Sequence, residues 1–343
     1  MASLQLSETL RKCVTSIDVA ALFGKLNDKV FAITGASSGF GLETAIALAK
    51  NGGCVVLMCR PGLKANLALE KVKAVSIDPA KIHLLSLDLA NPSSVRACAK
   101  QYLDMSLTLH KKGALNALVL NAGVLGLQWS KDMKNEPALQ TNLLGHALLH
   151  DLLKPSLEAS EDARLVVVAS GSHYSIHGKE LDFDKELPPR REKFSPWRAY
   201  AFSNLCRILW ARALSEKVNY PVISLHPASG PPTEAGRHMT LGMIFSVLSN
   251  VLRFEFRALL EFQSITKGAR TQTFCAVIPK EIASSLNGKF LSGNESDGPL
   301  GLAFPASHFA QRDDYAKNVL EFVDAFISRE RENKEYCQIL VKD

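Results

Sequence analysis

The chain has 343 residues, 47% of them hydrophobic and 22% charged, with a formal net charge of +6. That size fits one large α/β domain with extensions, or two modest domains, and is long enough to bury a substantial core. The basic residues are spread out, and their densest run, Arg190–Arg191 with Lys193, reads as a solvated loop, so no nucleic-acid partner is expected.

Seven cysteines, an odd number without a CxxC pair, point to free thiols in a reducing compartment. No secretory or lipidation signal is visible, and the longest uncharged apolar run, residues 239–252, is shorter than the ~20 residues a membrane span needs. A cytoplasmic protein is expected, with peripheral membrane contact left open.

Residues 7–23 read as an amphipathic helix, with Leu10, Cys13 or Val14, Ile17 and Ala20 or Ala21 at helical spacing, Ser7 as N-cap and Gly24 as stop. Residues 1–28 are thus expected as a helical extension packed on the main domain, with membrane or partner docking as the alternative. From residue 29 a strand–helix rhythm begins. "KVFAIT", "CVVLMC", "KIHLLSLDL", "LNALVLNAG", "ARLVVVAS" and "PVISLHPAS" are six strand-like runs separated by helical ones, among them 92–111, 136–158 and 196–218. Apolar strands alternating with helices predict a parallel sheet covered on both faces, a doubly wound α/β fold. The domain is placed at 29–325. Residues 231–265 interrupt its rhythm with an apolar, lid-like stretch, and 326–343 read as a charged surface tail.

"TGASSGFG", residues 34–41, follows the first strand and opens the first helix. Gly35 suits the tight turn, Gly39 lets backbone approach a pyrophosphate, and Gly41 permits close helix–strand packing, while the helix N-terminus favours anions. Ser37, Ser38 and Phe40 fill the same loop. The second strand ends in Cys59–Arg60, with no acid from 59 to 69. A guanidinium there matches a 2′-phosphate and predicts NADP(H) over NAD(H). Asp88, ending the third strand, is placed to meet the adenine edge.

These segments, with "NAG" (121–123), "QTNLLGH" (140–146), "VVVAS" (166–170) and "YAFSN" (200–204), resemble the short-chain dehydrogenase/reductase family over roughly residues 28–300. "LMCRP", "TNLLGHALL", "SNLCRILWARAL" and "KGARTQTFCAV" are similar to the branch holding retinol dehydrogenases and WW-domain-containing oxidoreductases, although no WW module precedes the glycine-rich loop. The resemblance implies a Rossmann-type fold and an oxidoreductase acting on a small apolar carbonyl or alcohol, retinoid-, steroid- or lipid-like. It also implies pairing of copies through the helix that carries Tyr200. By motif, Tyr200 is the general acid/base, Ser170 binds the substrate oxygen, and Asn142 supports a water and the helix geometry. Asn121, Ala122 and Gly123 border the cofactor. The alternative is a catalytically weak dinucleotide-binding sensor or interaction module.

Two positions depart from the family pattern. Asn204 stands where the family has a lysine that tunes the tyrosine and binds the nicotinamide ribose. After the sixth strand, "HPASGPPT" (226–233) follows Pro227 with Ala228 and delays its glycine to 230, so Thr233 is the residue left for the family's hydroxyl role. Asn204 shares a helix face with Tyr200 and keeps an amide for hydrogen bonding, but it carries no charge. Its loss is expected to impair alcohol oxidation more than carbonyl reduction near neutral pH. Arg207, seven residues beyond Tyr200 and ~10 Å along the helix by rise alone, reads as a structural ion pair, with replacement of the missing charge as the other reading. The i,i+4 pairs His146/His150 and His173/His177 lack a third ligand, so no metal is expected.

Overall fold

The computed structural model describes residues 26–109, 113–127, 136–178, 180–181, 194–227, 264–292 and 306–332. Its first half alternates strand and helix: β1 (Val30–Thr34), α1 (Gly39–Lys50), β2 (Cys54–Cys59), α2 (Leu63–Val75), β3 (Ile82–Ser86), α3 (Pro92–Leu109) and β4 (Ala117–Leu120). A short helical turn, α4 (Pro137–Leu139), runs through a π-helical turn at Gln140–Leu144 into α5 (Gly145–Glu158). Then come β5 (Arg164–Val168), α6 (Pro196–Leu214), β6 (Val222–His226), α7 (Ile265–Gly268), α8 (Arg270–Val277), α9 (Lys280–Ser285), β7 (Phe290–Ser292) and α10 (Asp313–Arg331).

The strands form one sheet in the order β3-β2-β1-β4-β5-β6-β7, with every neighbouring pair parallel. Successive residues of a strand face opposite sides, and the two cores follow that alternation. Val30, Ala32, Val56, Met58, Leu118, Leu120 and Val167 face α3, α5, α6 and α10. Phe31, Ile33, Val55, Leu57, Val119, Val166 and Ile223 face α1, α2, α8 and α9. Both faces are covered, which is why the strands read as unbroken apolar runs. The chain order reverses direction between β1 and β4. Beyond the carboxyl ends of those strands lies the crevice where such sheets place their ligands.

The six strands read from the sequence are all present. β7 is an addition: it has three residues, pairs Ser224 with Phe290, and follows the interruption in the rhythm. The expected start of α6 is also found, with the Ser195 hydroxyl accepting from the Arg198 N–H and Pro196 at the first helical position. Residues Ala201–Ala211 of α6 are all buried between the sheet and α10. That helix therefore offers no exposed face along this stretch. The expected tail boundary shifts as well. Residues 326–331 belong to α10, where Phe326 and Ile327 are buried and Arg96 bridges to Glu330 at 2.5 Å. The expected extension helix at 7–23, Thr233 and the apolar stretch 231–263 lie outside the described residues. Among the described residues, no helix is long and apolar enough to cross a membrane.

Candidate functional site

The glycine loop leaves β1 with Gly35 at φ +68° and re-enters helix through Gly39 at φ +57°, both in the left-handed region that side chains avoid. Gly35 N–H donates to Met58 O at 2.8 Å, which fastens the turn to the end of β2. A Cβ on Gly41 would stand 2.5 Å from Asn121 Nδ2 and 2.7 Å from Gly35 O, so only glycine allows this approach of α1 to β4. Ser38 caps α1 in an extended conformation and makes no side-chain cap bond, leaving its hydroxyl unused there. Ser37 instead hydrogen-bonds the buried Cys59 thiol, whose pKa burial pushes up to about 11. The Phe40 ring reaches α7, where a Cβ on Gly268 would meet it at 2.3 Å.

Asn121 holds the loop to β4. Its Nδ2 donates to Thr34 O at 2.9 Å, and its Oδ1 accepts from Gln272 Nε2 at 3.1 Å. Gln272, fully buried on α8, also donates to Thr44 Oγ1 at 2.7 Å and Phe40 O at 3.2 Å. One amide on α8 thereby ties α1 to the strand end. Ala122 N–H donates to Thr34 Oγ1 at 3.0 Å, and the same hydroxyl meets His146 Nε2 at 2.9 Å.

Asn142 lies in the π-helical turn, a distortion that concentrates at functional sites. Its side chain accepts from Val124 N at 2.8 Å and donates to Val124 O at 3.2 Å and to Ser203 Oγ at 2.9 Å. Ser203 in turn donates to Tyr200 O at 2.8 Å. Asn142 thus bridges the segment after β4 to the helix of Tyr200. Its carbonyl meets His146 Nδ1 at 2.9 Å. His146 is buried and held well below its ordinary pKa, first by burial and then by the Arg207 charge, so it is neutral.

Ser170 stands just past β5 and caps a 3-10 turn, Gly171–Ser175, that packs against α6. Its Oγ accepts from Ser172 N at 3.1 Å. Ser170 and Tyr200 are both half-buried, and the Tyr200 ring lies 5.9 Å from that of Trp197. The loop after β1, the turn after β4, Ser170 after β5 and Tyr200 on α6 therefore share the carboxyl side of the sheet.

A family model described as short chain dehydrogenase matches residues 29–177. Retinol dehydrogenase 13 of Mus musculus is 32% identical over 275 residues, spanning 79% of this chain and 77% of that protein. The chain belongs to the short-chain dehydrogenase family. The WW domain-containing oxidoreductase of Gallus gallus is 32% identical over 73% of this chain, which spans 58% of that longer protein. Among solved structures, an uncharacterised protein from Mycobacterium paratuberculosis aligns with a TM-score of 0.61 at 22% identity, covering 88% of this chain and 93% of that one. A short chain dehydrogenase from Shigella flexneri complexed with NADP aligns with a TM-score of 0.55 at 18% identity, covering 78% and 98%. These likenesses carry the fold.

In this short-chain dehydrogenase Asn204 and Arg207 have defined surroundings. Asn204 is buried, and its Nδ2 donates to Tyr200 O at 2.9 Å, a bond back into its own helix. Arg207, also buried, donates from Nη1 to Ala122 O at 3.1 Å and from Nη2 to Leu120 O. Among the described residues it makes no ion pair. The guanidinium reaches the NAG turn, because helical side chains tilt toward the helix N-terminus.

Arg60 is exposed directly after β2, and Asp88 Oδ1 accepts from Ala90 N at 3.0 Å. Pro227 is buried after β6. The histidine pairs have separate partners: His150 Nε2 meets Tyr220 OH at 2.7 Å, and His173 Nε2 accepts from Ser307 N at 3.2 Å. Sequence reasoning missed Gln272, Ser203 and Thr34. Gln272 lies within the quoted "KGARTQTFCAV", and Ser203 directly precedes Asn204. Their roles depend on partners 151 and 61 positions away, which spacing does not encode.

Proposed function

We propose that the chain is an NADP(H)-dependent oxidoreductase that moves a hydride between nicotinamide and an apolar carbonyl or alcohol of retinoid, steroid or other lipid-like type. The observation that carries this reading is the meeting of an anion-ready glycine loop with half-buried Ser170 and Tyr200 on one side of the sheet. The cradle suits a dinucleotide. Gly35 and Gly39 take left-handed turns, Gly41 leaves no side chain in the way, and the α1 N-terminus is uncapped by a side chain. Exposed Arg60, without a nearby acid in sequence, favours a 2′-phosphate. The NADP and NADPH named with solved short chain dehydrogenases and the retinol dehydrogenase names of its relatives point the same way.

When bound, the nicotinamide supplies or accepts the hydride. Ser170 Oγ hydrogen-bonds the substrate oxygen and polarises it, and the Tyr200 hydroxyl gives the proton to a carbonyl or takes it from an alcohol. Asn142, through Ser203, fixes the helix turn that presents Tyr200. A cytoplasmic location, with or without peripheral membrane contact, accompanies this reading. The test is NADPH consumption by purified protein against a broad panel of apolar aldehydes and ketones. The expected result is turnover that falls about a hundredfold or more in Tyr200→Phe. No turnover on any member, with Tyr200→Phe indistinguishable from the parent, sinks the proposal. The turning of the Asn204 amide into its own helix favours a second reading, a dinucleotide-binding sensor with little catalysis. NADPH binding without turnover decides for it.

A further inference from the structure

Tyr200, Ser203, Asn204 and Arg207 follow one another at helical spacing on the buried side of α6. Leu120 and Ala122, whose carbonyls hold the Arg207 fork, flank Asn121 at the carboxyl end of β4. A Cβ on Gly123 would lie 3.8 Å from Arg207 Nη1 and 3.6 Å from Asn142 Oδ1. The guanidinium therefore sits under the turn that borders the glycine loop, beside the residue that braces the tyrosine helix. Its Nε–H is buried with no hydrogen-bond partner among the described residues. Among the described residues the guanidinium has no counter-ion; burying a cation that way is costly, and two carbonyl dipoles compensate it only in part. Among the described residues, the titratable groups that interact with it are neutral His146 on α5 and Tyr200 on its own helix.

We propose that Arg207 is an electrostatic positioning residue that supplies, from one turn along α6, the positive charge the family pattern places at position 204. The charge of the site has moved along the helix; it has not been lost. Burial lowers the Arg207 pKa to about 10, with Tyr200 acting to raise it, so the guanidinium stays charged at neutral pH. Its fork is bound to backbone, which makes it a fixed charge where a lysine would be a mobile one. The proposal rests on the dinucleotide reading for its purpose, but its test does not depend on turnover.

The experiment is a double-mutant cycle on the full chain with Asn204→Lys, Arg207→Gln and the double variant. It is read by thermal melting and by fluorescence titration with NADPH. If both positions serve one charge, Asn204→Lys places two cations together in a dry site and lowers the melting temperature. Adding Arg207→Gln then restores stability, so the double variant is more stable than the sum of the single effects. NADPH affinity falls about tenfold or more in Arg207→Gln and returns to within about threefold of the parent in the double variant. Arg207→Lys, which keeps the charge without the fork, retains most of the affinity, whereas a bracket for Leu120 and Ala122 alone would lose it. Strictly additive melting shifts overturn the proposal, and so does failure of Asn204→Lys to rescue NADPH affinity in Arg207→Gln. If Arg207→Gln does not fold alone, refolding on adding Asn204→Lys supports the proposal, and failure of the double variant to fold counts against it. A parent chain that binds no NADPH defeats the dinucleotide reading, while non-additive melting still upholds the shared charge.

Discussion

At the scale of single residues, the proposed choice of dinucleotide rests on the end of β2. Arg60 is exposed, so its side chain is free of the packing that constrains Cys59 beside it. Arg60→Glu should leave the melting temperature nearly unchanged and weaken NADPH by about tenfold or more while NADH is spared, because a carboxylate repels a 2′-phosphate and accepts from ribose hydroxyls. Parallel fluorescence titrations with the two cofactors check it, and equal losses for both would contradict the assignment. Residues of this kind are legible in the sequence because each sits at the end of a strand or the start of a helix. Gly35, Asn121, Ser170 and Tyr200 all do. Asn142 is legible as a motif, yet the π-helical turn that holds it is not, since the segment reads as uninterrupted helix. Arg207 is visible in the sequence, but its reach is not. Rise per residue measures where a backbone goes, and a long side chain tilted back along the helix covers much of that distance.

At the scale of elements, the sheet, α1 and α8 are clamped by polar bonds through an apolar interface, and the clamp sets the loop. Gly41→Ala tests this with a sign reversal. In an exposed helix the change is worth up to ~1 kcal/mol of stability. Here the new methyl would fall 2.5 Å from Asn121 Nδ2 and 2.7 Å from the Gly35 carbonyl, so α1 must move away from β4. Overpacking of this kind costs about 1–3 kcal/mol. The variant should melt lower and bind NADPH more weakly, with both readouts shifting together. Gln272→Leu removes the amide nitrogen whose two hydrogens are shared among Phe40 O, Thr44 Oγ1 and Asn121 Oδ1, on the other side of the same clamp, and leaves Asn121 Oδ1 without that donor. A loss of about 1–3 kcal/mol in urea unfolding is expected. The alternation of elements is written in the sequence because strands buried on both faces must be apolar throughout. β7 is not, because three residues at the sheet edge, next to Lys289, carry too little pattern. The clamp is not either: Gln272 becomes meaningful only when α8 packs across α1 and β4.

At the scale of the molecule, the histidines link stability to pH. His146, His150, His173 and His226 are all buried. Burial holds His150 and His173 down to about 4 and His226 to about 3, and keeps His146 well below its ordinary value of 6.5. The native state refuses protons that the unfolded chain accepts near 6.5, so the unfolded state binds more protons below that pH. The stability these groups contribute is complete above 6.5 and drains away as the pH falls toward 4, at up to ~1.4 kcal/mol per pH unit for each histidine. Glu136 runs in the opposite sense. Burial raises its pKa against the bonds from Ala138 and Leu139 N–H, so its contribution is whole below 4.5 and fades as the pH rises. A comparison between variants removes that opposing slope. His150 is suited to it, because it lies edge-on to Trp210 and bonds Tyr220, away from the glycine loop, Ser170 and Tyr200. Urea unfolding of the parent and of His150→Gln at a series of pH values from about 7 to about 5 should show a shallower acid slope in the variant. The difference should approach one proton, or ~1.4 kcal/mol per pH unit. NADPH affinity at neutral pH should be unchanged by the same substitution. An identical slope in both proteins would mean that His150 takes up its proton in the native core, with the bond to Tyr220 giving way before the fold does.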